Sequence, residues 1–256
     1  MNAGWLCLLV LGAGCARQLR TGPAAGQHLL DLTHTLSPAF PYIPVQNKTF
    51  PFRINPIATL AADGVAANRW ELTEHVGTHL DAPNHFAPGG ASIDELPLSS
   101  LIVPAVVVDM RGAVAADPDA VLDVAAVLDW EAAHGRIPDG AGVFLLTGWS
   151  SRATSQRTFV NADSGGRMHF PGFSVEAIDF LIRERHISGV GTDTLSIDPG
   201  IDRVYLGHHH LLQAGRWAAE CVAHLEEVPA RGATVFLAPT KVAGATGAPA
   251  RIIAYW

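Results

Sequence analysis

The sequence predicts a mixed α/β fold built as one domain. From about residue 105 to Ile252, short apolar segments alternate with segments of helical period, which is typical of strands and helices that follow one another along a chain. The 256 residues are 48% hydrophobic, enough for one sizeable core. No linker or block of charge divides the chain, so one domain is the simplest arrangement.

The net charge excludes some classes of partner. It is −7 at pH 7, and the chain has no run of basic residues. We therefore expect neither nucleic acid nor an anionic membrane surface to be the main partner, and a small-molecule substrate fits better.

The first residues resemble a secretory signal peptide. An apolar run from Trp5 to Leu11 is too short to span a bilayer and leads into Gly12-Ala13-Gly14-Cys15, as in a lipoprotein signal whose cysteine is lipidated. No Lys or Arg precedes the run, and Gly12 stands where Leu is usual. We expect a signal peptide over residues 1–15, a linker over 16–27 and the folded domain over 28–256. The protein would then be exported to the periplasm or anchored by lipid to the cell envelope. If the run is instead a buried N-terminal segment, the protein is cytoplasmic.

The first elements of the domain are a strand and a long loop. His28 to Thr35 alternates in polarity and is a strand candidate. The proline-rich stretch from Ser37 to Pro56 cannot be regular helix, so we expect a loop that lies over another part of the molecule.

The middle of the domain predicts two strands around a helix. Ala105 to Met110 and Val143 to Thr147 are continuous apolar strands. Between them, Asp117 followed by Pro118 predicts a helix start, and the helix should run to about His134. Its expected buried residues are Val121, Val124 and Leu128.

A second helix and strand follow. Ser174 should cap a helix that ends near Arg185. Its expected buried stripe is Ile178, Leu181 and Ile182. Gly189 to Asp198 is expected to be a strand that leads into Ser196-Ile197-Asp198.

The segment from His75 to Phe86, HVGTHLDAPNHF, predicts a metal site. A strand running from Arg69 to Asp81 would place His75, His79 and Asp81 on one face, with Gly77 leaving room for an ion between the two histidines. A helix would swing Asp81 away from the histidines. Two imidazoles and a carboxylate are ligands of catalytic zinc and also suit manganese or ferrous iron. Pro83 then turns the chain, so that His85 can return over the site.

This segment resembles the signature H-x-G-T/A-H-x-D-x-P-x-H-F of the cyclase family of metal-dependent hydrolases, which includes kynurenine formamidases and isatin hydrolases. Other matching segments, from about residue 30 to the end of the sequence, are Asp31-Leu32-Thr33, Gly191 to Asp198, His208 to Glu220, and Pro239-Thr240-Lys241 through Arg251. The resemblance implies a swivelling β/β/α fold with a mixed central sheet flanked by helices. It also implies a homodimer or higher homo-oligomer.

The resemblance also implies the rest of the metal site. His208, Leu211, Leu212, Gly215 and Glu220 fit the family pattern H-x-x-L-L-x-x-G-x-x-x-x-E. His208 and Glu220 are therefore expected to join His75, His79 and Asp81 as ligands of one or two Mn²⁺ or Zn²⁺ ions. A surface tract formed by His208, His209 and His210 is the alternative.

Residues around the substrate are predicted less specifically. Kynurenine formamidases carry a substrate-contacting Trp in a P-V-W-P context, whereas this sequence has Pro41-Tyr42-Ile43-Pro44. Ile43 in place of that Trp argues for a different apolar pocket. The expected substrate contacts are Phe40, Ile43, Trp70 and Asp198, and Asp198 could instead orient a metal ligand.

The predicted function is hydrolysis of a C–N bond, other than a peptide bond, in a small cyclic or acyl amide such as isatin. A divalent ion would activate a water and polarise the carbonyl, and His85 would act as general acid and base. The alternatives are an arylformamidase acting on N-formylkynurenine, or a hydrolase of lactones or cyclic esters. An alternative of another class is a non-catalytic exported lipoprotein that binds a metal or ligand.

Overall fold

The computed structural model describes residues 28–256, and its central feature is a mixed β-sheet. The predicted signal peptide over residues 1–15 and the predicted linker over 16–27 lie outside the described residues. The described strands are β1 (Leu29–Asp31), β2 (Arg53–Ala58), β3 (Ala67–Glu71), β4 (His79–Asp81), β5 (Ile102–Asp109), β6 (Val121–Leu122), β7 (Gly142–Leu146), β8 (Gly172–Phe173), β9 (Gly189–Thr192), β10 (Trp217–Glu220), β11 (Arg231–Pro239) and β12 (Gly247–Tyr255).

The helices are short, and those of more than one or two turns pack on the sheet. The described α-helices are α1 (Leu60–Asp63), α2 (Leu98–Leu101), α3 (Arg111–Ala116), α4 (Val124–His134), α5 (Gln156–Val160), α6 (Val175–Arg185) and α7 (Leu206–Gln213). Single 3₁₀ turns occur at Pro83–His85, Ile93–Glu95, Trp149–Arg152 and Leu225–Glu227.

The main sheet closes on itself through β12. Its order is β1-β12-β11-β5-β7-β9-β10-β4, and β4 pairs in addition with β12. Strands β4 and β1 pair with the same edge of β12 at different positions. Gly247–Pro249 pairs with β4, and residues 253–255 pair with β1. Strands β5, β7, β9 and β10 are parallel, and the other pairings in this sheet are antiparallel.

Apolar residues cover both faces of the parallel strands. In β5, Val103 and Val107 belong to the core enclosed by the curved sheet, whereas Val106 and Val108 pack toward the helices. A strand buried on both faces has no reason to alternate in polarity, which explains its continuous apolar sequence. The predicted α/β class, with helices flanking a mixed sheet, is confirmed.

The helix predicted from Pro118 begins later, at Val124. Asp123 is its N-cap and accepts a hydrogen bond from the N–H of Ala126 at 2.8 Å. Val121 belongs instead to β6, which pairs with β8. The helix buries Val127 and Trp130 while Leu128 is exposed, so the expected buried stripe was wrong.

The continuous strand predicted from Arg69 to Asp81 is also wrong. Strand β3 ends at Glu71, and β4 begins only at His79. Gly77 lies between them with a φ of +67°, a left-handed value that breaks an extended strand. His75 therefore lies in a loop, whereas His79 and Asp81 keep the expected alternation.

Several other predicted elements agree with the structure. Ser174 caps α6 through the N–H of Ala177, and Ile178 and Leu181 are buried. Within the predicted loop from Ser37 to Pro56, residues 37–52 are largely irregular, and strand β2 begins at Arg53. Among residues 28–256, no helix is both long and apolar enough to cross a bilayer.

Candidate metal centre

Strand β4 brings two of the predicted ligands to the junction of the sheet. It lies between β10 and β12, and its His79 is directly opposite Glu220 of β10. Asp81 points to the same side as His79, because the two residues are two positions apart in a strand. All three side chains are buried.

Helix α7 delivers His208 to the same point. Its Nε2 atom lies 3.1 Å from Oε1 of Glu220 and 3.2 Å from Oδ2 of Asp81. The other ring nitrogen, Nδ1, donates to Oδ2 of Asp198 at 2.5 Å. Asp198 is itself held by the backbone N–H groups of Gly207 and His208, at 2.6 and 3.2 Å.

His79 is oriented in the same way by the backbone. Its Nδ1 donates to the carbonyl oxygen of Gly77 at 2.9 Å, so a neutral ring carries its lone pair on Nε2. That atom lies 3.2 Å from Oδ1 of Asp81 and 3.4 Å from Oε2 of Glu220. It is buried and has no hydrogen-bond partner among the described residues.

His75 completes the group from the loop before β4. Its Nδ1 lies 2.6 Å from Oδ1 of Asp81. Two sets of ligand atoms are therefore close enough for a metal, and Asp81 belongs to both of them. The sets are His75, His79 and Asp81, and Asp81, His208 and Glu220.

The electrostatics of the cluster favour positive charge at its centre. Burial lowers the pKa of His79, but the nearby carboxylate of Asp81, followed by that of Glu220, raises this pKa to about 10. Burial opposes ionisation of Asp81, yet the charge of His75 and the close approach of His208, His75 and His79 hold the pKa of Asp81 well below its ordinary value.

These residues fit a divalent cation. Imidazole nitrogens and carboxylate oxygens converge at close range in a buried site, and the orphaned Nε2 of His79 lacks a partner that an ion would supply. The histidines also have outer partners that fix which nitrogen faces inward, as is usual for metal-ligating histidines.

His85 lies over this cluster and faces a cavity. The 3₁₀ turn that begins at Pro83 returns the ring onto His75, with ring centroids 3.9 Å apart and an interplanar angle of 22°. No described side chain hydrogen-bonds to the His85 ring. Burial lowers the pKa of His85 to about 4, so the ring is neutral at pH 7 and can accept a proton.

The cavity has a volume of about 360 Å³ and its wall is mostly apolar. The loop from Pro41 to Thr49 forms one side, as the sequence predicted for a loop over another part of the molecule. The wall also includes Phe86, Leu195, Tyr205 and Cys221. The five predicted ligands and His85 all line it.

The four predicted substrate contacts separate in the structure. Ile43 lines the cavity. Phe40 is buried between His34 and Phe159, away from the cavity wall. Trp70 is 66% exposed on β3 and packs on Phe52, so it is not part of the cavity either. Asp198 stands behind His208, which matches its alternative role as an orienting residue.

Sequence reasoning missed several residues around the site. Thr246 and Glu74 contact His75 from behind, and Tyr205 and Leu195 line the cavity. The one available signal was Glu74, the single charged residue on the otherwise apolar face of the predicted strand. Nothing in the sequence around Thr246 marks it as a neighbour of His75.

Comparison with known proteins gives close relatives over most of the chain. Isatin hydrolase from Roseibium aggregatum is 33% identical over 240 residues, covering 88% of this chain and 90% of the relative. Kynurenine formamidase from Salinibacter ruber is 27% identical over 229 residues, covering 88% of this chain and 96% of the relative.

Solved structures match as well. An isatin hydrolase bound to the product analogue thioisatinate superimposes with a TM-score of 0.86 at 32% identity, covering 91% of this chain and 93% of that one. A protein from Bacillus stearothermophilus described as a predicted metal-dependent hydrolase gives a TM-score of 0.67 at 25% identity, covering 90% and 99%. The predicted cyclase-like fold is thereby confirmed.

The Cyclase family profile matches residues 30–199, which include the whole segment from His75 to Phe86. His208 and Glu220 lie beyond that match but within the described structure, at the same cluster. With this match, and with a relative that is 33% identical over 88% of this chain, the chain belongs to the Cyclase family.

Proposed function

We propose that this protein is a metal-dependent hydrolase that cleaves the C–N bond of a small cyclic amide of the isatin type. The observation that carries the proposal is the convergence of His75, His79, Asp81, His208 and Glu220 on one point of a cavity, with His85 stacked beside them. The 33% identity to an isatin hydrolase supports the substrate class.

A divalent cation held by these five side chains would lower the pKa of a bound water toward about 7 and polarise the amide carbonyl. The protein itself supplies the proton transfer. The neutral His85 ring accepts a proton from the attacking water and returns it to the amide nitrogen as the C–N bond breaks. Without that proton the nitrogen is a poor leaving group, so a side chain in the position of His85 is required.

The cavity favours a small, flat and largely apolar substrate. Its polar groups are concentrated at the cluster, and Ile43, Phe86 and Leu195 offer apolar surface beside it. An aromatic lactam can bury its ring against these side chains while its carbonyl faces the cluster. Hydrolysis consumes one water and yields an arylamine that carries a carboxylate.

The first test compares substrates on the purified full chain. The protein is loaded with Mn²⁺ or Zn²⁺ and assayed in parallel on isatin and N-formylkynurenine. Turnover of isatin supports the proposal. Turnover of N-formylkynurenine alone would favour the arylformamidase alternative, for which the 27% identity to a kynurenine formamidase is the supporting observation.

A matched lactam and lactone separate the remaining alternative on the same site. A preference for the lactone would identify a cyclic-ester hydrolase, since ester leaving groups depend less on protonation. The expected result is a preference for the lactam, together with a strong dependence on His85.

The role of His85 is tested with His85→Ala and the control His210→Ala. His210 is exposed on α7 and contacts Asp179, away from the cavity. We expect His85→Ala to keep its metal and to lose about 10²–10⁴-fold in kcat, whereas the control stays active. Full activity of His85→Ala would contradict the mechanism. A chain that holds metal but turns over none of the substrates would support a non-catalytic binding protein.

We further propose one or two Mn²⁺ or Zn²⁺ ions per chain. The two overlapping ligand sets that share Asp81 support either count. Elemental analysis of protein purified without added metal measures the identity of the ion and the number bound.

We also propose that the protein forms a homodimer or higher homo-oligomer. The hairpin formed by β2 and β3 exposes Ile54, Ile57 and Trp70, with 43%, 67% and 66% of each residue accessible. Exposed apolar groups in such a concentration mark association surfaces. Light scattering should show an oligomer that Ile57→Glu dissociates. The control Leu128→Glu, on the exposed face of α4, should leave the oligomer intact.

Export is proposed from the sequence alone. The run from Trp5 to Leu11 followed by Cys15 supports a cleaved or lipidated N-terminus. Mass spectrometry of the mature protein, together with cell fractionation of wild type and Cys15→Ser, measures this. An uncleaved chain in the cytoplasm would contradict it.

A further inference from the structure

We propose that Thr246 and Glu74 are positioning residues that commit His75 to the metal centre through its Nδ1 atom. The inference rests on the proposed function in one respect, that the cluster around Asp81 is a metal site. The three side chains come from two distant parts of the chain. Glu74 and His75 are neighbours in the loop before β4, and Thr246 immediately precedes β12.

Thr246 is held in place by the sheet. Its carbonyl oxygen accepts the N–H of Ala82 at 2.9 Å, and the next residue, Gly247, pairs with Asp81 in the β4–β12 ladder. The backbone therefore fixes Thr246 behind the loop that carries His75, whatever its side chain does.

The side chain of Thr246 connects Glu74 with His75. Oε2 of Glu74 accepts the Thr246 N–H at 3.0 Å and the Thr246 hydroxyl at 2.5 Å. The same hydroxyl oxygen lies 3.0 Å from Nε2 of His75. We call this arrangement of Glu74, Thr246 and His75 the relay.

The relay determines where the hydrogen of His75 lies. A hydroxyl has one hydrogen, and a carboxylate can only accept, so the hydroxyl of Thr246 donates to Glu74. Toward His75 the hydroxyl can then only accept, which requires a hydrogen on Nε2. A neutral His75 therefore carries its lone pair on Nδ1.

That lone pair points at the cluster. Nδ1 of His75 is 2.6 Å from Oδ1 of Asp81, and two acceptors at this distance repel each other unless a positive charge lies between them. The ring is already stacked on His85, so packing fixes where it lies. The contribution of the relay is the choice of nitrogen, which makes His75 a ligand for a cation rather than a donor to Asp81.

The test removes and then restores the Thr246 hydroxyl. Mn²⁺ affinity is measured by titration calorimetry for Thr246→Val, Thr246→Ser and the control Thr240→Val, which alters an exposed threonine at the end of β11. We expect Thr246→Val to bind Mn²⁺ about 10–100-fold more weakly, as for other outer partners of metal-ligating histidines. Thr246→Ser and Thr240→Val should stay near wild type.

Glu74→Ala tests the relay without disturbing the core, because the Glu74 side chain is 44% exposed. Once Glu74 is removed, the Thr246 hydroxyl is free to donate to Nε2, and the other tautomer becomes available to His75. Nitrogen NMR of the Zn²⁺-loaded full chain should show a hydrogen on Nε2 of His75 in wild type. In Glu74→Ala this signal should weaken and zinc affinity should fall.

Two results would overturn the inference. One is wild-type metal affinity and an unchanged His75 tautomer in both Thr246→Val and Glu74→Ala. The other is an equal loss in Thr246→Ser and Thr246→Val, which would assign the effect to the threonine methyl group. These measurements use no substrate, so a failure of isatin hydrolysis would not contradict the relay. Conversely, if wild type hydrolyses isatin and the Thr246 and Glu74 variants bind metal as wild type does, only the relay is contradicted.

Discussion

Gly247 lies where a side chain and the His75 ring cannot both fit. A Cβ added at Gly247 would lie 2.4 Å from Cε1 and 2.7 Å from Nδ1 of His75, and 3.0 Å from the carbonyl oxygen of Leu80. The ring cannot retreat easily, because His85 is stacked on it. Gly247→Ala should therefore displace His75, weaken Mn²⁺ binding at least about tenfold, and cost about 1–3 kcal/mol of unfolding free energy. Calorimetric titration and chemical denaturation measure the two effects.

The matched control is Gly112→Ala. Gly112 lies in α3, and apart from its chain neighbours and the backbone of its own helix no atom lies within 4 Å of the position its Cβ would take. This variant should bind metal as wild type does and be slightly more stable, since Ala favours helix over Gly. Equal metal affinity in Gly247→Ala and Gly112→Ala would contradict the packing argument.

Asp198 orients His208 from outside the cluster. It accepts the Nδ1 hydrogen of His208 and two backbone N–H groups, so Asp198→Asn removes the charge and places an amide N–H₂ group where an acceptor is needed. We expect metal affinity to fall about 10–100-fold. Asp179→Asn, which alters the partner of exposed His210, should leave metal affinity unchanged.

At the residue scale, the sequence predicted the cluster but not the pocket. The central motif supplied His75, His79 and Asp81, and the family pattern added His208 and Glu220, so five separate side chains were identified that the fold brings together. Two of the expected substrate contacts, Phe40 and Trp70, lie outside the cavity of this chain. An aromatic near a motif packs wherever the tertiary structure leaves apolar surface, and that surface was not visible in one sequence.

At the scale of elements, an ion pair joins α4 to α6. Nε and Nη2 of Arg185 donate to the two carboxylate oxygens of Glu131 at 2.7 and 2.8 Å. The side chains are only 10% and 11% exposed. Glu131→Ala should leave the Arg185 charge buried without its partner and lower the unfolding free energy at pH 7 by about 2–4 kcal/mol. Denaturation of Glu131→Ala beside the exposed control Glu184→Ala measures it.

This stability difference should depend on pH in a defined direction. The hydrogen bond from Arg185 holds the pKa of Glu131 below its ordinary value. A carboxyl whose pKa is lower in the folded state stabilises the fold above its unfolded pKa of about 4.3 and loses that contribution as pH falls through the folded value. The difference in unfolding free energy between wild type and Glu131→Ala should therefore have its full value at pH 7 and decrease below pH ~4. A gap that stays constant to pH 3 would contradict the ion-pair explanation.

Helix α4 shows the limit of predicting elements from local signals. Pro118 after Asp117 is a common helix start, yet residues 121–122 pair as a strand with Gly172 and Phe173. Asp123 then caps the helix instead. The pairing partner lies about fifty residues away in the chain, so local capping signals alone could not reveal it.

At the scale of the whole molecule, closure of the sheet builds the site. Strand β4 reaches the cluster because β10 and β12 pair with its two edges, and this brings Glu220 and Thr246 next to residues 75–81. Alternating strands and helices predicted the mixed α/β class. They did not predict this junction, because long-range antiparallel pairings have no signature in local periodicity.

The closed sheet leaves a buried pair of carboxylates, Asp81 and Glu220, whose charge a bound cation would offset. The folded chain binds the ion far better than the unfolded chain, so metal should stabilise the whole molecule by about 2.7 kcal/mol at a free concentration 100 times the Kd. For a chain of this size that corresponds to a rise in Tm of roughly 5–10 °C. Thermal unfolding of the full chain with Mn²⁺ and with excess chelator measures this, and His79→Ala should lose the difference while His210→Ala keeps it. An equal Tm with and without Mn²⁺ in wild type would mean that protons on the buried histidines neutralise the carboxylates as well as the ion does.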